Sequence, residues 1–187
     1  MTTSKFTRYE IFLVAIIAIL QFSVILDFMV LSPLGAFLLE DLNITTTQFG
    51  LVVSAYAISA FASGILSAGF ADKFDRKKYL LFFYTGFILG TAMCAMANSY
   101  LMLLIARIVT GIFGGVIGSI GFAIITDIFK VEQRGRVMGF VQMAFAASQI
   151  LGIPIGLELA QRFGWHSSFW MIVVFGIPLG ILILIFM

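Results

Sequence analysis

The stretch AGFADKFDRKK, residues 68–78, decides how the rest of the chain is read. Six of its eleven residues are ionisable: Asp72, Lys73, Asp75, Arg76, Lys77 and Lys78. It is the densest charge run in a chain that is 61% hydrophobic and 11% charged. Apolar segments of membrane length flank it, GLVVSAYAISAFASGILSAGF before and YLLFFYTGFILGTAMCAMA after. An ionic run this short between two such segments cannot stay in hydrocarbon, so it is a tight interfacial turn. Its excess of Lys and Arg places it on the cytoplasmic side.

Composition agrees. A soluble domain carries about 25% charged residues, more than twice the share found here, and the mean hydropathy is +1.13. The chain therefore reads as an all-α, polytopic integral membrane protein. Its net charge of +2 is distributed over short turns with no basic patch, so no nucleic-acid partner is expected. The one cysteine, Cys94, lies inside an apolar segment and reads as a small core residue. The N-terminal MTTSKFTRYE runs straight into a full-length span without a short apolar core and cleavage site. That pattern predicts a retained first helix and not a signal peptide. There is no metal-ligand cluster, no Gly-rich phosphate loop and no nucleophile–base pair. One interfacial histidine, His166, and one cysteine leave a hydrolase little to work with. The expectation is a protein that is not an enzyme and holds no metal or cofactor.

Six spans are predicted, at about 11–34, 47–71, 79–97, 101–129, 137–160 and 167–187, as one transmembrane domain over 1–187. Each is long enough for about 30 Å of hydrocarbon. With the N-terminus inside, the inner segments hold nine of the eleven cations: Lys5, Arg8, Lys73, Arg76, Lys77, Lys78, Lys130, Arg134 and Arg136. The outer loops hold only Arg162, and Arg107 lies within a span. This bias predicts cytoplasmic N- and C-termini. Tyr9, Tyr79, Tyr100, Trp165 and Trp170 fall at span ends, as interfacial anchors do. Glycines recur at spacings of four, and Gly111, Gly114, Gly118 and Gly121 nearly share one face of the fourth span. Such spacing lets helix backbones approach closely.

ADKFDRKK resembles the loop signature of the major facilitator superfamily, G-x-L-A-D-R-x-G-R-K, which joins the second and third helices. Asp72, Lys73, Arg76 and Lys77 fit, while Ala68, Phe70 and Asp75 replace Gly, Leu and the second Gly. RIVTG resembles the fourth-helix signature R-x-x-x-G at Arg107 and Gly111. LDFMVLSPLGAFLLEDL resembles the first helix of drug and sugar efflux members, with Asp27 and Pro33. GFVQMAFAASQILGIPIGL is similar to the fifth-helix pattern of efflux members: Gly139, Gly152 and Gly156 match and the proline is displaced to Pro154. The resemblance implies two inverted three-helix repeats, forming the N-terminal half of a twelve-helix transporter. It covers nothing of a second half, because the sequence stops at the end of the sixth span.

Two ionisable residues lie deep in spans. Asp27 and Arg107 sit at similar depth, roughly 10 Å inside the outer boundary, since their helices run oppositely. A lone charge there costs at least about 2.5–3.5 kcal/mol, so each should face a partner or a water-filled cavity. They are the obvious partners for one another. Either Asp27 titrates and couples protons, or the two form a permanent brace between helices. Polar residues available to a substrate are few: Gln21, Tyr56, Asn98, Gln142 and Gln149. The second charged turn, TDIFKVEQRGR, offers Asp127, Glu132, Arg134 and Arg136 on the same side as Asp72, Arg76 and Lys77. A network between the two turns would hold the cytoplasmic ends together and break on rocking. The resemblance thus implies proton-coupled efflux of a small molecule by alternating access, in the plasma membrane and most simply a bacterial inner membrane. The proton is the coupling ion. Partners are the lipid bilayer, the substrate, and a second six-helix half or a second copy of the chain. The other readings are a truncated or partner-binding scaffold without transport, and a channel.

Overall fold

The computed structural model describes residues 6–68 and 74–186. Among these, every regular element is helical, and six helical stretches are long and apolar enough to cross a membrane. In hydrocarbon a backbone N–H or C=O has no water to bond, so each span must satisfy its own groups as helix.

The first helix, α1, runs Arg8–Val30. Thr7 Oγ1 accepts from the Glu10 N–H at 3.2 Å while the Glu10 carboxylate accepts from the Thr7 N–H at 2.7 Å. This reciprocal box satisfies two donors at the helix start. α1 stops at Val30, short of the predicted end at 34, because Pro33 lacks an N–H and disfavours helical backbone at Ser32. A short helix, α2, Gly35–Asp41, follows where only a connection was expected. Asn43 then takes a left-handed backbone at φ 50, which asparagine tolerates. A second reciprocal box, Thr45 with Gln48, starts α3, Thr46–Ala68.

Past the charged turn, α4 spans Arg76–Ala95. The Asp75 carboxylate accepts from the Lys78 N–H at 3.0 Å. The residue that departs from the loop signature therefore serves as a helix cap. Asp72 and Lys73 lie outside the described residues. α5, Tyr100–Ile128, is capped by Ser99. At its other end Arg134 donates to the carbonyls of Thr126, at 2.6 Å, and Phe129, at 2.9 Å. These are end-of-helix acceptors that the helix itself cannot satisfy, and a cation suits that end of the dipole.

The fifth span is not one regular helix. It consists of α6, Val131–Ala147, a π-helical turn over Ser148–Gly152, and α7, Ile153–Phe163. Pro154 cannot donate to the preceding turn and crowds the carbonyl of Ile150; the wider turn absorbs both problems. The last helix, α8, spans His166–Phe186 and contains Pro178.

α5 is the centre of the packing, with α3 and α4 against it; α4 also packs on α8, and α1 on α6. Gly115 sits against the α3 backbone at Ala60, and Gly111 against that at Tyr56. The shared glycine face of α5 serves three neighbours, since Gly114 also meets Phe87 of α4 while Gly118 and Gly121 approach Gln21 and Ile17 of α1. Gly152 and Gly156 face Leu26 and Val30 of α1, whereas nothing described lies within 4 Å of a Cβ built on Gly139. The glycine–proline motif is thus a packing surface at its second part only. Trp165 also departs from expectation. It is 0% exposed and stacks on His166 at 3.7 Å between centroids, so it belongs to the core and not to an interfacial belt. His166 Nε2 lies 3.0 Å from the Ala97 carbonyl oxygen and ties the end of α4 to the start of α8.

Candidate functional site

The fold brings the two deep charges together. α1 and α5 run in opposite directions, so Asp27, late in α1, meets Arg107, early in α5. Arg107 Nη1 donates to Asp27 Oδ2 at 2.7 Å and to the Asp27 carbonyl oxygen at 3.3 Å. Both side chains are 0% exposed. The Thr91 hydroxyl of α4 lies 3.1 Å from Asp27 Oδ1 and 3.0 Å from the Phe87 carbonyl oxygen. It has one proton to give, so it bonds one or the other. From α3, the Tyr56 ring covers the guanidinium, with Cζ 4.4 Å from its centroid. Aromatic faces attract cations, most strongly where water is excluded. Thr110, three residues on from Arg107, donates to the Ala106 carbonyl at 2.6 Å and lies 3.7 Å from Cys94 Sγ.

The pair is neutral as a unit, which makes its burial tolerable, but the guanidinium is incompletely used. Arg107 Nε and Nη2 have no hydrogen-bond partner among the described residues. Next to the pair, an open groove of about 340 Å³ runs between α1, α3, α5 and α6, lined among others by Gln21, Phe28, Tyr56, Gly118 and Phe145. Tyr56 belongs to both places: it lines the groove and covers Arg107.

The predicted site residues sort as follows. Asp27 and Arg107 form one constellation, each facing the other as partner and enclosed within the helices. Gln21 and Tyr56 line the groove. Gln142 and Gln149 do not; they are exposed, one turn either side of Phe145. Asn98 is exposed beyond the end of α4. At the charged end, Arg76 Nε meets Asp127 Oδ2 at 3.0 Å, joining α4 to α5. The side chains are 29% and 52% exposed, so the pair contributes about 0–1 kcal/mol. Lys77 lines a shallow pocket with both. Of the other charges expected in this network, Arg134 caps α5, Arg136 lies over the Phe6 ring at 5.4 Å and Glu132 is exposed, while Asp72 lies outside the described residues. Glu158 pairs with Arg162 at 2.6 Å on the surface, one turn apart.

Sequence reading missed Thr91, Thr110 and Cys94 as neighbours of the pair. A signal existed for two of them. Thr110 shares a helix face with Arg107, and Thr91 is a rare hydroxyl in an apolar span at the depth computed for Asp27.

Fold and site together define an integral membrane protein whose six spans close around one buried, neutralised charge pair. The chain belongs to the major facilitator superfamily: the model of that family matches residues 17–187. Multidrug resistance protein 3 of Bacillus subtilis is 32% identical over 139 residues, 74% of this chain and 26% of that one. A bacterial homologue of the human lysosomal transporter Spinster, solved inward-facing and unoccupied, has the same fold, with TM-score 0.85 at 17% identity. The match covers 98% of this chain and 44% of that one. The xylose transporter XylE of E. coli, solved inward-open, gives 0.82 at 16% identity, over 93% of this chain and 47% of that one. The chain therefore spans about a quarter of the B. subtilis relative and less than half of each solved chain. These relatives are transporters, which favours transport over enzymatic chemistry.

Proposed function

We propose that this chain forms one six-helix half of a proton-coupled efflux transporter for a small molecule, working by alternating access against a second half or a second copy of itself. The observation that carries the reading is the Asp27–Arg107 pair. Asp27 is the one acidic side chain buried among the described residues, and it sits behind a groove wall of suitable size for a solute. Protonating Asp27 removes the charge that holds Arg107, so the same contact favours one state when ionised and loosens when neutral. A contact that changes with protonation and borders the solute path is what coupling requires; the family's rocking mechanism supplies the motion. The multidrug-resistance relative supports the outward direction. The cation bias supports placing the N-terminus and both charged turns in the cytoplasm of a cell whose plasma membrane holds the protein, most simply a bacterium. No cofactor enters this scheme; the proton does the coupling.

Two measurements test it. An imposed proton gradient across liposomes holding the complete transport unit should drive saturable flux. Non-saturating flux would mark a channel, and no flux a scaffold, and either overturns the proposal. For orientation, a cysteine placed at Ser99 should label from outside whole cells and one at Lys77 should not. The reverse pattern inverts the topology and overturns the cytoplasmic placement of the N-terminus and both charged turns.

A further inference from the structure

Tyr56 stands between two spaces. On one side its ring lies 4.4 Å from Arg107 Cζ. On the other it lines the groove, with its ring 5.2 Å from that of Phe28. It is itself 5% exposed, while Asp27 and Arg107 behind it are at 0%.

Two glycines of α5 set this position. A Cβ at Gly111 would lie 2.5 Å from the Tyr56 carbonyl oxygen, so only glycine lets α3 come this close. A Cβ at Gly114 would lie 2.7 Å from the Tyr56 hydroxyl oxygen, so glycine there makes room for the end of the ring. Behind the ring, Arg107 keeps two donors without partners among the described residues. A buried donor left unmet carries its full desolvation cost. An oxygen acceptor that reaches them is therefore bound favourably.

We propose that Tyr56 is a positioning residue that seals the Asp27–Arg107 pair from the groove, and that its ring must swing aside for water to reach the free edge of Arg107. Water is the occupant because it is small, accepts from both donors, and carries the proton that Asp27 would take up. The part this seal plays in transport rests on the coupling reading above. The seal itself does not, and the experiment reads access and not flux.

Cys94 is the single cysteine of the chain. It is buried and lies 3.7 Å from Thr110 Oγ1, one turn from Arg107. Its thiol thus reports on water behind the ring. The probe is a small, charged methanethiosulfonate reagent applied to the full chain in nanodiscs. Wild type and Tyr56→Phe should react at the same slow rate. Tyr56→Ala should react about tenfold faster or more, since a thiolate forms only where water reaches it. Gly114→Ala, which pushes the hydroxyl aside, should also accelerate the reaction. Adding Tyr56→Phe to Gly114→Ala removes the closer of the two contacts, the other being Phe87 Cδ2 at 3.2 Å, and should slow the reaction again. This second pair carries the test if Tyr56→Ala fails to fold. A folded Tyr56→Ala that reacts within about twofold of wild type overturns the seal. So does acceleration by Gly114→Ala that Tyr56→Phe does not reverse, because the bundle has then loosened generally. If labelling follows the expected pattern while proton-driven flux is absent, the seal stands and the transport reading falls.

Discussion

Arg107→Ala destabilises the folded chain by about 3–5 kcal/mol, the range seen when one partner of a buried ion pair is removed. The loss exceeds that of a surface pair because Asp27 is fully buried and is left with the Thr91 hydroxyl alone. In hydrocarbon the stranded carboxylate has no water to turn to. The cost therefore lies in what remains behind, and a second substitution should remove part of it. In the Arg107→Ala background, Asp27→Asn replaces the charge by a neutral amide of the same size. The double variant should recover at least half of the lost stability, a non-additivity expected of groups in contact. Helix content followed by circular dichroism during denaturing-detergent titration measures all three variants. Simple addition of the two single effects would show that the residues do not depend on one another, against the geometry.

Gly115→Val should be nearly as damaging, for a steric reason. A Cβ at Gly115 would lie 2.6 Å from Ala60 Cα, and still nearer the Ala60 carbonyl oxygen. Backbone cannot rotate out of the way as a side chain can, so α3 and α5 must separate along their closest approach. Overpacking of this kind costs about 1–3 kcal/mol, and the added branch puts Val at the upper end. Gly139→Ala is the control. Its Cβ meets nothing described within 4 Å, and alanine favours helix over glycine by about 0.5–1 kcal/mol. The two variants should shift the same unfolding midpoint in opposite directions. Equal effects would mean that the α3–α5 contact is looser than 2.6 Å implies.

Much of this architecture was legible because a bilayer leaves few options. Runs of about twenty apolar residues separated by charged turns admit six helices and little else. Depth arithmetic alone matched Asp27 to Arg107. What escaped the reading depends on tertiary contact or on small backbone choices. No residue pattern marks Gly35–Asp41 as helical, since it is too short to stand without neighbours. Pro154 announced an irregularity, but whether it would kink the helix or widen one turn depends on what packs against it. Arg134 and Arg136 look alike in the sequence; one reaches the carbonyls that end α5 and the other lies over Phe6. Tyr56 was named for its hydroxyl, as a substrate contact, whereas its ring face holds Arg107. That relation needs the approach of α3 to α5 that Gly111 and Gly115 permit, and spacing within one helix does not reveal which neighbour it will meet.

The central claim is that Asp27 carries the proton. Asp27→Asn keeps the volume and an acceptor oxygen for Arg107 and Thr91, but cannot titrate. The deciding measurement compares two fluxes in liposomes holding the complete unit with this substitution. One is substrate flux driven by a proton gradient; the other is exchange of labelled for unlabelled substrate without any gradient. The account predicts that gradient-driven flux falls to that of protein-free liposomes while exchange persists and helix content is unchanged. Gradient-driven flux at the unmodified rate would contradict it. Asp27 would then be a structural partner of Arg107, and the proton would travel elsewhere.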